Sequence, residues 1–176
     1  DFGSEPEFPH EVIDYANALS VKIDEKQKKL RKDLTNLDIV TIDPKESKDF
    51  DDAIYTKKIN DHEYLLVVSI ADVSHYCQKD SVLDKEALKR GCSIYLVDRV
   101  IPMLPHILSD DICSLNPNVE RLSLTCEMII NDKGDFKDIK VYPSIIKSHR
   151  RFSYDEVNEF FVGTNKLEKD TNNIKP

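Results

Sequence analysis

Five carboxylates, Asp43, Glu46, Asp49, Asp51 and Asp52, fall within ten residues, and only Lys45 and Lys48 offset them. Pro44 follows the first, and the apolar Phe50 and Ile54 are interleaved with the last. Apolar neighbours draw such a segment toward a core and bring the carboxylates with them. Clustered carboxylates repel one another and are costly to desolvate without a countercharge. A divalent cation is the natural countercharge, and an all-oxygen donor set selects Mg²⁺, Mn²⁺ or Ca²⁺ over zinc. The spacing excludes an EF-hand, because the sixth position counted from Asp43 is Lys48, where glycine is required. Mg²⁺ prefers a few carboxylates, several waters and a substrate phosphate. Two such ions ~3.5–4 Å apart can hold a water nucleophile and a leaving oxygen in line across one phosphorus. The competing reading of the same residues is a solvated acidic loop.

This loop has to be held by the elements on either side of it. Residues 38–42 are β-rich and end at the turn signal Asp43-Pro44. Residues 53–58 and 63–71 read as strands joined through Asn60-Asp61 as a hairpin, the second so apolar that burial on both faces is predicted. Upstream, Pro9 opens a helical pattern with Val12, Ile13, Ala16 and Leu19 on one face, and Asp24 caps a second short helix reaching Lys32. Downstream, residues 80–90 form a helix with Val82, Leu83, Ala87 and Leu88 inward and Gly91 as its stop. A strand at 93–97 and a short helix at 106–113 follow. Two alternating strands, 121–130 and 136–142, are joined by the turn residues 131–135, and 144–152 reads as one more strand. Ser153, with Glu156 three positions on, makes a capping box for a last helix ending at Phe161. Hairpins separated by helices predict an α+β fold, a largely antiparallel mixed sheet with helices packed on it. The expected organisation is a helical arm over 1–37, a globular part over 38–163 and a polar tail over 164–176.

Composition narrows the function classes. Of 176 residues 40% are hydrophobic, enough for a core. The longest apolar run, 64–71, is far short of the ~20 residues of a membrane helix, so no membrane association is expected. No basic-then-apolar segment opens the chain, which begins at Asp1 and reads as a piece of a longer protein. A net charge of −8 disfavours a simple basic nucleic-acid binder, though not an enzyme that meets phosphate through metal ions. Cys77, Cys92, Cys113 and Cys126 match no zinc spacing and read as reduced thiols of a cytoplasmic protein. Four glycines, at 3, 91, 134 and 163, leave no Gly-rich phosphate cradle.

Asp43, Asp49, Asp51 and Asp52, in the frame Thr-Ile-Asp-x-x-x-x-Lys-Asp-Phe-Asp-Asp-Ala over residues 41–53, resemble the signature of the RNase II/RNase R (RNB) exoribonucleases. The resemblance continues through residues 69–76, 93–105, 108–117 and 153–157, and so covers nearly all of 38–161. Residues 96–101, Leu-Val-Asp-Arg-Val-Ile, resemble the RNase R branch more than the RNase II branch. It implies a Mg²⁺-dependent hydrolase, with Mn²⁺ as a possible substitute, that degrades single-stranded RNA 3′→5′ and releases nucleoside 5′-monophosphates. Asp43 and Asp52 match the family's ligands of one metal; Asp49 and Asp51 match those assigned to the second metal and the attacking water. Tyr95 matches an aromatic that stacks on bases near the 3′ end, and Tyr154 a tyrosine linked to the choice of RNA over DNA. The resemblance covers the first half of an RNB catalytic domain. The second half, with the family's catalytic arginine, and the flanking cold-shock and S1 modules lie outside it, so the chain alone is expected to be inactive. His75 reads as a core or supporting histidine, Arg99 and Arg121 as partners of nearby acids, and Lys147, Arg150 and Arg151 as a charged face. Two rivals use the same carboxylates. Asp49-Phe50-Asp51 mimics the Asp-x-Asp of a haloacid-dehalogenase-type phosphatase, although Ala53 stands where Thr or Val is usual. A passive Ca²⁺-binding or protein-interaction module is the other.

Overall fold

The structure, a computed structural model, describes residues 6–163. Two helices lead in: α1 (His10–Asn17) and α2 (Glu25–Leu30), the second capped by the Asp24 carboxylate, which accepts from the Gln27 N–H at 2.7 Å. Strands β1 (Lys32–Asp33), β2 (Val40–Asp43), β3 (Asp52–Lys58) and β4 (Glu63–Ala71) follow, then helices α3 (Val73–Tyr76) and α4 (Val82–Arg90). A short hairpin, β5 (Ile94–Tyr95) with β6 (Val100–Ile101), precedes a π-helix at Ile107–Ile112. The long strands β7 (Glu120–Asn131) and β8 (Phe136–Lys147), then β9 (Arg150–Ser153) and helix α5 (Tyr154–Val162), complete the order.

Seven strands form one sheet in the order β1-β8-β7-β4-β3-β2-β9. The interior pairs are antiparallel, and the two edges, β1 on β8 and β9 on β2, are parallel. This is the mixed, mostly antiparallel α+β sheet that the hairpin signals predict. It lacks the parallel βαβ order of a haloacid-dehalogenase fold.

One sheet face carries the core. Ala53, Val67 and Ala71 are buried there with Val12 and Ala16 of α1, Leu83 of α4, and Leu108 and Ile112 of the π-helix. Small hydroxyl residues complete that face: Ser69, Thr125, Ser144 and Ser123 are buried and joined in a row by hydroxyl hydrogen bonds of 2.5–2.7 Å. Each therefore satisfies a polar group that would otherwise be costly to bury. The other face is apolar but half-covered. Ile70 and Leu124 are paired in register and both exposed, as is Val141 nearby. The expectation that β4 is buried on both faces is corrected accordingly.

Three other local readings change. In α4 the buried residues are Leu83, Glu86 and Arg90, and Leu88 is 82% exposed. Arg90 turns the helix, because it donates to Glu86 and to the carbonyls of Pro102 and Glu7. The strand read over 144–152 is broken at Ser148 and His149. Its first half continues β8 along β7, and its second half becomes β9 along β2. The strand read over 93–97 contracts to Ile94–Tyr95. Among the described residues no helix is long and apolar enough to cross a membrane.

Candidate carboxylate site

Asp43 is the last residue of β2 and Asp52 the first of β3, so the two strands deliver the ends of the acidic loop to one place. Between them the backbone is pinned repeatedly. The Ser47 N–H donates to the Pro44 carbonyl at 3.0 Å, which turns the chain. The buried Ser114 hydroxyl donates to the Lys48 carbonyl at 2.7 Å and accepts from the Phe50 N–H at 3.0 Å, straddling Asp49. The Leu115 N–H donates to the Phe50 carbonyl, and the Ala71 N–H to the Asp51 carbonyl, both at 2.9 Å. Phe50, 4% exposed, anchors the loop in the core, as its apolar character predicts. On the far side, Arg151 of β9 donates to the carbonyls of Pro44 and Lys45.

These constraints hold the four aspartates within electrostatic reach of one another. Burial pushes the Asp43 carboxyl above the ordinary carboxylate range, and the charge of Asp52 adds to this, with Arg151 opposing. Asp51 keeps contact with water, yet partial burial is still the larger cause of its raised proton affinity, followed by the charges of Asp49 and Asp52. Among the described residues Asp43 Oδ2 and Thr41 Oγ1 are buried without a well-formed hydrogen bond, although the Thr41 hydroxyl is near enough to offset part of the rise in Asp43's proton affinity. A buried carboxylate oxygen without a donor is an unmet demand for positive charge. Among the described residues no three His, Cys, Asp or Glu side chains converge tightly enough to cage an ion by themselves. Mg²⁺ takes only one or two carboxylates and completes its shell with water and phosphate oxygens. The donor set and the orphaned Asp43 oxygen fit such a cation.

Asp49 and Asp51 face a cleft of about 730 Å³ whose other walls include Tyr95, Val100, His106 and Asp110. Tyr95, from β5, is 70% exposed, and its ring is open to a ligand in that cleft. Cys113 also borders the cleft, but burial, with the Asp51 charge second, pushes its thiol up to about 12, so it is no nucleophile. Tyr154 lies elsewhere. It opens α5, is 53% exposed, and is not among the residues around the cleft, although Ser153 before it pairs in register with Asp43. The capping box of Ser153 and Glu156 is formed. His75 packs edge-on against Tyr76 and lies outside the cleft. Arg99 pairs with Asp98 at 2.8 Å and Arg121 with Asp111 at 3.3 Å. Arg150 lies over the Phe152 ring and pairs with Glu156 at 3.5 Å. Ser114 and Arg151 were not singled out from the sequence as parts of this site. Their partners lie 64 to 107 residues away, and no local signal reports such a contact.

Known proteins share both the sequence and the fold. The family profile described as the RNB domain matches residues 31–175. Ribonuclease R of Ureaplasma parvum is 49% identical over 99% of this chain, which spans 24% of that protein. Ribonuclease R of Thermotoga maritima is 53% identical over 88% of the chain, which spans 22% of it. The chain thus spans about a quarter of the length of the curated relatives it matches. Mycoplasma genitalium RNase R in complex with double-stranded RNA superposes with a TM-score of 0.86 at 44% identity, over 92% of this chain and 29% of that one. The same enzyme in complex with ribose-methylated single-stranded RNA matches equally well, over 25% of its chain. Yeast Ssd1, a pseudonuclease, shares the fold alone, with a TM-score of 0.73 at 18% identity over 85% of this chain and 19% of that one. The fold therefore does not decide activity, and the site must.

Proposed function

Because the chain belongs to the RNB-domain family, we propose that the whole protein is an RNase R-type hydrolase that removes nucleotides from the 3′ end of single-stranded RNA, with Mg²⁺ or Mn²⁺, in the cytoplasm. One observation carries the reading. Two of the four clustered aspartates share a cleft with an exposed aromatic ring, and a third has a buried oxygen without a partner. Relatives 44% identical, bound to RNA, support the substrate class.

In this reading Asp43 and Asp52 would hold one cation, and Asp49 and Asp51 would hold a second and orient a water. When bound, the cations neutralise the scissile phosphate and make water a better nucleophile. Asp49 and Asp51, which line the cleft, would act as anionic acceptors for a water placed near the phosphate. Tyr95 receives a base near the 3′ end by stacking, which tolerates any sequence because every base offers a π face. Tyr154, outside the cleft, has its hydroxyl assigned to the ribose, where the 2′-OH distinguishes RNA from DNA.

The test is chromatography of the products that the full-length protein makes from a 5′-labelled oligoribonucleotide with Mg²⁺. Stepwise shortening with release of nucleoside 5′-monophosphates is expected; internal cuts or 3′-phosphates would sink the reading. A second expectation concerns Tyr95. Tyr95→Ala should weaken the hold on the last nucleotides by ~1–3 kcal/mol per lost stack and lengthen the final product. An end product of unchanged length would leave Tyr95 an ordinary strand tyrosine.

A further inference from the structure

We propose that Arg151 is a positioning residue of the carboxylate site, a single guanidinium that fixes both ends of the loop between Asp43 and Asp51. The inference rests on the reading that these aspartates serve a divalent cation.

The geometry is that of a clamp. Arg151 sits on β9, in parallel register with Thr41 of β2, so its Cα is fixed relative to Asp43 by the sheet. Its Nη2 donates to the Pro44 carbonyl at 2.9 Å and also to the Lys45 carbonyl, the two peptides that follow Asp43. The same guanidinium lies over the Phe50 ring, 4.8 Å from its centroid. Phe50 separates Asp49 from Asp51 in the chain, and its own backbone is tied to Ser114 and Leu115. One planar group therefore touches the loop immediately after its first aspartate and between its second and third.

Two features make this more than packing. Arg151 donates to backbone carbonyls rather than to the carboxylates, so it fixes the loop while leaving the buried Asp43 oxygen unpartnered for a cation. A guanidinium can also donate from its edge while its face covers an aromatic ring, which a lysine ammonium cannot reproduce. Charge alone would give the opposite sign: a cation beside carboxylates weakens binding of another cation. The charge-retaining Arg151→Lys and the charge-removing Arg151→Gln therefore separate placement from electrostatics.

The experiment uses the full-length protein, titrated with Mn²⁺ alone and followed by the electron paramagnetic resonance signal of free Mn²⁺. Hydrogen–deuterium exchange is measured on the same samples without metal. Arg151→Lys is expected to weaken Mn²⁺ binding about tenfold, the lower end of the effect of losing an outer-shell partner. Exchange should quicken at residues 44–49 and stay unchanged in β4 and β7. Wild-type Mn²⁺ affinity in Arg151→Lys would overturn the proposal. So would tighter binding in Arg151→Gln with unaltered loop exchange, which would mean charge only. Lost protection across β4 and β7 would make Arg151 a general fold residue and overturn it as well. If instead the wild type binds Mn²⁺ no better than Asp51→Asn, the cation reading itself fails and the clamp proposal falls with it. That failure is recognisable because it shows in the wild type.

Discussion

Asp51→Asn in the full-length protein is expected to slow RNA hydrolysis by about 10³-fold or more while RNA affinity stays within about twofold. The substitution keeps the shape of the side chain and removes its charge. The backbone tie at this residue, the Ala71 N–H to the Asp51 carbonyl, does not involve the side chain, so the loop keeps its path. Asp51 holds its proton more tightly in the fold than free in water, through partial burial and then the charges of Asp49 and Asp52. Its charge therefore costs stability in the metal-free fold relative to the unfolded chain, and a neutral asparagine relieves that repulsion. Stability should not fall, and a loss of rate cannot be ascribed to unfolding. Affinity should persist because polyanion binding comes from cationic contacts to phosphates, and Asp51 supplies none. Single-turnover hydrolysis and fluorescence anisotropy, measured together, check this. Preserved cleavage with lost binding would contradict the role assigned to Asp51.

Residues 1–176 alone should degrade a 3′-labelled oligonucleotide at least about 10²–10³-fold more slowly than a full-length relative such as the Ureaplasma parvum enzyme. The chain spans only 24% of that protein. What it holds is a set of carboxylates and one stacking ring beside an open cleft, with Tyr95 mostly exposed. Among the described residues lining that cleft, Lys48 is the only lysine or arginine. Catalysis of phosphoryl transfer depends on positioning and on charge that meets the charge developing on the phosphate. The family resemblance assigns that charge to an arginine in the second half of the domain. Rates comparable to the full-length enzyme would mean that the catalytic machinery is complete within residues 38–161.

The site was legible because its signals are local. The carboxylate spacing, the Asp43-Pro44 turn and Phe50 all lie within a dozen residues, and the structure forms the turn and buries Phe50. The capping box at Ser153 is likewise local. What the sequence hid depends on distant partners. Lys32 looks like the end of a basic helix, yet the helix stops at Leu30 and Lys32 and Asp33 form a strand because Ser144 and Ile145 offer a free edge. Leu88 looks inward by helical period, but the buried Glu86–Arg90 pair, tied to Glu7 and Pro102, sets the face. Residues 144–152 look continuous, but the chain changes partner there, when the His149 N–H donates to the Ile39 carbonyl at 2.7 Å. In each case tertiary hydrogen bonding overrides a period that is otherwise correctly read.

The edge pairing of β2 with β9 has a consequence for biosynthesis. Asp43 comes early in translation, but the strand beside it and the Arg151 contacts to Pro44 and Lys45 come from residues about 107 positions later. Before then β2 has β3 as its only long-lived neighbour among the described strands, through the pairing of Val40 with Ile54. At elongation rates of about 5–20 residues per second, a nascent chain therefore lacks the Arg151 contacts for roughly 5–20 seconds after Asp43 is made. Such late closure, typical of contacts distant in sequence, makes the final placement of the loop between Asp43 and Asp52 wait on the synthesis of β9.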